Sequence, residues 1–166
     1  MSQDGWLAGL DALVVEAHWS EPLIVDAIDI GMPLLAVGTG MQALNTVLGG
    51  KTRQYDGHSA DGDGGSSYHR VYITPGSRLA TVVGSGGFVR VNSRHGCAVT
   101  EADKSHRLLA SAYSLDDGVI EAVENPDHDW LIGVQFHPER ALELPPHFQR
   151  LFVSLVGAAT ARKAAT

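Results

Sequence analysis

Long apolar runs, paired cysteines and an excess of positive charge are all missing from this chain. No stretch approaches the roughly 20 apolar residues that a membrane-crossing helix needs, so a transmembrane protein is not expected. The start, Met1-Ser2-Gln3-Asp4, has neither the basic residues nor the apolar core of a signal peptide. Cys97 is the single cysteine, which rules out an intrachain disulfide and fits a reducing cytoplasm. Lys and Arg number 12 against 19 Asp and Glu, a net charge of −7, which argues against nucleic-acid and anionic-membrane partners. Internal repeats and long linkers are absent too, so 166 residues read as one domain over 1–166 with a sizeable core.

The residues present suggest an α/β protein. Leu10 to Ala17 is short and β-branched at its middle, and is expected to be a buried strand. Glu21 to Ile30 predicts a helix with Ser20 as cap, Pro22 in the first turn, and Leu23, Ala27 and Ile30 on one face. A second buried strand, Leu34 to Val37, runs into a helix over Met41 to Leu48, closed by Gly49-Gly50. This alternation implies a parallel sheet with flanking helices. Tyr55 to Ser67 is polar and glycine-rich, and is expected to be a flexible loop. His69 to Thr74, Phe88 to Asn92, Ala110 to Ser114 and Gly118 to Glu124 predict short strands forming a small antiparallel portion. Leu131 to Phe136 predicts another buried strand, and Pro146 to Ala161 a final helix packing through Phe148, Leu151, Phe152 and Leu155. The tail 162–166 is expected to fray.

One segment carries chemistry in its layout. Pro33 to Gln42 has an apolar strand, a glycine-rich turn and a helix start, the plan of a nucleophile elbow. Such elbows hold a Ser or Cys at a strained apex; here the apex residue is Gly38, which has no side chain.

Five segments together resemble the class I glutamine amidotransferases, most closely their γ-glutamyl-γ-aminobutyrate hydrolase (peptidase C26) branch. PLLAVGTGMQALNTVLGG, from Pro33 to Gly50, matches nearly every fixed position of that branch's elbow except its cysteine. HRVYITPGSRL from His69 to Leu79, Val91-Asn92-Ser93-Arg94-His95, Asp117 to Glu124 and GVQFHPE from Gly133 to Glu139 match four further motifs. The resemblance spans about Asp11 to Glu139 and implies a flavodoxin-like fold with a central, mostly parallel sheet. It also implies a Cys–His–Glu triad acting on a glutamine or γ-glutamyl amide. His137 would be its base, Glu139 the carboxylate that orients it, and Gly38 the vacant nucleophile position. Thr39 would supply one oxyanion amide; Ala17, Gln42 and His95 would lie on the oxyanion or substrate side.

Two more departures accompany Gly38. The family's Pro-Gly-Gly oxyanion strand is replaced by Glu16-Ala17-His18, which adds side chains and a negative charge. The chain also has only about ten residues before Asp11, so the sheet is expected to be N-terminally truncated and covered by a second copy or another protein.

The leading expectation is a silent amidotransferase-like protein acting in binding, regulation or assembly. One alternative is a hydrolase of γ-glutamyl amides using an atypical nucleophile or the His137/Glu139 pair. Another is a non-catalytic subunit of a larger enzyme. Thr39 is a poor substitute nucleophile, because its hydroxyl points off the apex; Cys97 lies away from the elbow and reads as a small packed residue. His95 is expected near the site mouth or as an isolated surface histidine. No cofactor is expected. No metal is expected either, since the histidines lack H-x-x-x-H spacing and Asp56, Asp61 and Asp63 lack the remaining ligands of a calcium loop. A glutamine-like or γ-glutamyl small molecule is the expected ligand.

Overall fold

The computed structural model describes residues 5–59 and 65–165. The first half winds as expected from its apolar pattern. Strand β1 (Leu13–Val15) is followed by a 3-10 turn (His18–Ser20) and helix α1 (Glu21–Asp29), then β2 (Leu34–Val37) and α2 (Thr39–Val47). Pro22 occupies the first turn of α1, where its missing N–H costs nothing. Gly31 leaves the helix at φ +64, and Met32 N–H returns to the Ala27 carbonyl at 2.8 Å.

The remaining elements are β3 (Arg53–Gln54), β4 (Ser67–Ile73), α3 (Arg78–Val83), β5 (Gly87–Ser93), β6 (Cys97–Ala98), β7 (Leu109–Ser114), β8 (Ile120–Glu124), β9 (Leu131–Val134) and α4 (Arg150–Ala165). Among the described residues, seven strands form one sheet in the order β1-β2-β9-β8-β7-β4-β5, while β3 and β6 pair separately. β1, β2 and β9 run parallel, and every other pairing in the large sheet is antiparallel. The antiparallel part is thus broader than the short, turn-rich strands suggested, because β8 returns directly beside β9 and extends the same sheet.

Alternation along β2 builds both sides of the core. Leu35 and Val37 face a layer with α3 and α4 that includes Leu79, Phe148 and Leu151. Leu34 and Ala36 face Ile24 of α1 and Met41 and Leu44 of α2. Central β2 is buried on both faces, which explains its unbroken apolar run.

Several expectations need correcting. β1 is shorter than Leu10 to Ala17 and lies at the sheet edge, with Val14 47% exposed. α1 buries Ile24 and Ala27, whereas Ile30 is exposed: the helix turns a neighbouring face inward. α3 was not foreseen, although its signals are present. Ser77 accepts from the Ala80 N–H at 3.1 Å, and Gly84 ends the helix at φ +86. Residues 162–165 do not fray but continue α4, where Arg162 donates to the Ile30 carbonyl at 3.1 Å; Thr166 lies outside the described residues. In the glycine-rich loop, Tyr55 N–H donates to the Gly96 carbonyl at 2.9 Å, and the His58 carbonyl accepts from His95 N–H at 3.1 Å. Residues 60–64 of that loop, including Asp61 and Asp63, lie outside the described residues. No described helix is long and apolar enough to cross a membrane.

Candidate functional site

The parallel pairing of β2 with β9 creates the site. Val37 is in register with Val134, so the residues just beyond both strand ends, Gly38 and the Gln135 to Glu139 turn, emerge side by side. Gly38 donates its N–H to the Val134 carbonyl at 2.8 Å, and its own carbonyl accepts from Met41 N–H at 3.1 Å as α2 begins. Its φ of 56° and ψ of −120° are strained for any residue with a Cβ. A Cβ built there would lie 2.9 Å from Cε1 and 3.2 Å from Nε2 of His137. The elbow apex therefore points at the imidazole.

His137 is held from both sides. Its Nδ1 lies 2.7 Å from Glu139 Oε1, so Nδ1 carries the proton and donates it to the carboxylate. Glu16 Oε1 lies 3.6 Å from the same nitrogen. Glu16 thus faces the imidazole, where its sequence position suggested opposition to an oxyanion. The Thr39 hydroxyl donates to the Glu16 carbonyl at 2.5 Å, which ties α2 to the end of β1. Gly40 permits that approach, since a Cβ there would meet the Val15 carbonyl carbon at 2.8 Å. Ala17 has extended backbone beside the 3-10 turn.

The backbone of His137 is anchored by residues not singled out from the sequence. Asn92 Oδ1 accepts from the His137 N–H at 2.9 Å, and Asn92 Nδ2 donates to the His137 carbonyl at 3.1 Å. Asn92 Nδ2 also donates to Glu143 Oε2 at 2.9 Å, while Gln149 donates to the Pro138 carbonyl at 2.8 Å. The hydrogen bond from Arg140 brings the Glu143 carboxyl down to about 2 against the opposing effect of burial, with help from Ser66 and Asn92. The only sequence signal was Asn92 inside the V-N-S-x-H motif; Glu143 and Gln149 gave none.

Two predicted substrate-side residues sit elsewhere. Gln42 is buried and donates to the Cys97 carbonyl at 2.9 Å and to Gln135 Oε1 at 3.0 Å, so its amide is engaged in the interior. His95 is only 3% exposed, which excludes a surface position. It joins buried His58, His69 and Glu121, a cluster that spacing along the chain does not show. Burial pushes the Glu121 carboxyl up, but the three imidazoles outweigh it and hold it below the ordinary carboxylate range. Burial lowers His58, and the carboxylates around it, Glu121 foremost, raise it more.

Solved structures share this architecture. A GMP synthase homologue from Thermoplasma acidophilum superposes with a TM-score of 0.75 at 15% identity, covering 96% of this chain and 77% of that one. The glutaminase domain of Trypanosoma brucei CTP synthase, with bound acivicin, gives 0.71 at 22% identity, covering 92% and 72%. The fold is that of the class I glutamine amidotransferases. The chain belongs to the Peptidase C26 family, whose model matches residues 15–139. A Mycobacterium tuberculosis protein named as a glutamine amidotransferase is 36% identical over 148 residues, 86% of this chain and 45% of that protein. A Schizosaccharomyces pombe protein named likewise is 30% identical over 150 residues, 86% of this chain and 56% of its own length. The chain thus spans about half the length of these curated relatives.

Proposed function

We propose that this amidotransferase-like chain is catalytically silent towards glutamine and γ-glutamyl amides, and that it serves in binding, regulation or assembly. The observation behind this reading is the apex of the elbow. His137 and Glu139 keep a base–carboxylate pair at 2.7 Å, yet the position aimed at that base is Gly38. A base without a nucleophile cannot form the acyl-enzyme on which the Cys–His–Glu route depends. Thr39 does not replace it, because its hydroxyl is engaged with the Glu16 carbonyl.

Glutamate and ammonia release from glutamine and γ-glutamyl amides tests the reading. The native chain is expected to give the uncatalysed background. Turnover in the native chain that His137→Ala abolishes would favour the alternative, a hydrolase working through the His137/Glu139 pair. Turnover in Gly38→Cys alone would show that the pocket around the apex still accepts the substrate.

A role as a non-catalytic partner within a larger enzyme has its own support. The matched CTP synthases are long chains, and this chain corresponds to 22% of the Rhodopseudomonas palustris enzyme at 38% identity. The β1 edge lies near exposed Trp6 and Trp19, which line a cavity of about 240 Å³ with Pro22 and Leu23. Unpaired edges and exposed tryptophans are surfaces that proteins commonly cover with another chain.

A further inference from the structure

The geometry points to a second site, distinct from the elbow: a buried centre for one divalent transition-metal ion of the zinc class, held by His58, His95 and Glu121. These residues come from three separate places, namely the loop after β3, the turn after β5, and β8. Their donor atoms nevertheless converge. His58 Nδ1 lies 3.1 Å from His95 Nε2 and 3.3 Å from Glu121 Oε1, and His95 Nε2 lies 3.5 Å from the same oxygen. Zinc bonds to nitrogen and oxygen of about 2.0–2.1 Å give tetrahedral edges of about 3.3–3.4 Å. The triangle has the size of one face of such a tetrahedron.

The outward sides of both rings fit the same centre. His95 Nδ1 lies 2.8 Å from the Cys97 carbonyl, which can only accept, so Nδ1 carries the proton. His58 Nε2 lies 3.1 Å from Asp117 Oδ2, which favours the proton on that nitrogen. Each neutral ring then turns a lone pair inward, towards the other lone pair and towards a carboxylate oxygen. Three electron-rich atoms facing one another repel unless a cation lies between them. Ligating histidines characteristically donate their outer N–H to a carbonyl or carboxylate, as both rings are placed to do.

Burial sharpens the case. Glu121 is fully buried, and neither of its oxygens makes a hydrogen bond of acceptable angle, although imidazole nitrogens stand 3.1–3.5 Å away. Contacts at that range with poor angles suit donors aimed at a common point better than donors aimed at each other. His69 stacks on His58 with ring centres 4.0 Å apart and reaches Glu121 Oε1 at 3.1 Å; it braces the carboxylate without entering the triangle. A metal here would tie the Tyr55 to Ser59 segment to the sheet. The other convergent group, Glu16, His137 and Glu139, is a control: both its carboxylates face His137 Nδ1, whose proton already satisfies them.

The test uses untagged chain, stripped with a chelator and titrated with Co²⁺, followed by Zn²⁺. One equivalent of Co²⁺ should bring the visible absorption of a tetrahedral nitrogen/oxygen site, and Zn²⁺ should displace it. His95→Ala and Glu121→Gln should weaken binding by more than the ~10–100-fold typical of an outer-shell change, the loss expected for Asp117→Asn. His137→Ala should bind as the native chain does. Failure of the native chain to take up either metal overturns the site, as does unchanged binding in His95→Ala or its loss in His137→Ala. Where a variant does not fold, imidazole NMR of the native chain decides. Zinc-induced shifts at His58 and His95 support the site, and shifts confined to the other histidines overturn it.

Discussion

At Gly38, backbone and chemistry make opposite demands. With φ at 56° and ψ at −120°, a side chain there costs about 1–3 kcal/mol, and a Cβ would sit 2.9 Å from His137 Cε1. Gly38→Ala and Gly38→Cys should therefore both lower the unfolding free energy by about that amount, read as an earlier urea midpoint at unchanged slope. Glu143 allows a prediction in pH. Its folded-state pKa of about 2 lies below the ordinary 4.5, so its contribution is complete above 4.5 and fades as the pH falls towards 2. Urea unfolding should show Glu143→Gln less stable than the native chain at neutral pH, with the gap closing across that window. The apex, His137 and Glu139 were legible because they lie in short continuous motifs. Glu16 beside His137, and Glu143 beneath Asn92, were not legible: those contacts join residues far apart in the chain, and no local pattern encodes them.

Elements place the site through two close approaches that glycine permits. Gly133 in β9 faces α2, where a Cβ would come within 2.9 Å of Met41 Cγ and Val123 Cγ2 and 3.2 Å of Leu44 Cδ2. All three neighbours are packed on the sheet and cannot all yield. Gly133→Ala should destabilise the fold by about 1–3 kcal/mol by chemical denaturation, the usual cost of overpacking. Gly40→Ala should act differently, pushing α2 away from β1 because the obstacle is backbone. Its signature would be a change in amide chemical shifts around Glu16 and Thr39. Strands and long helices were readable from apolar periodicity, since burial selects those residues directly. α3 was missed because six residues are too few to show a period, and its cap at Ser77 and stop at Gly84 were the only marks. The inward face of α1 was misjudged by one position because Leu23, Ile24, Ala27 and Ile30 allow more than one stripe.

Over the whole molecule, the three parallel strands set the elbow and the antiparallel strands bring the buried histidines together on the same sheet. The class of fold followed from strand–helix alternation and linked motifs; the extent of the antiparallel part depended on which strands became neighbours, a matter of tertiary pairing. The outer edge at β1, with Trp6 74% and Trp19 71% exposed, is the expected contact surface. Light scattering should find the native chain above monomer mass at micromolar concentration, and Trp6→Ser with Trp19→Ser should return it to monomer. A native chain that is monomeric throughout would remove self-association and leave only a heterologous partner. Silence at the elbow is the central claim, and ammonia release from glutamine by the purified native chain, beside His137→Ala, measures it most directly. The account predicts that both chains stay at the uncatalysed background; turnover by the native chain that disappears in His137→Ala would contradict it.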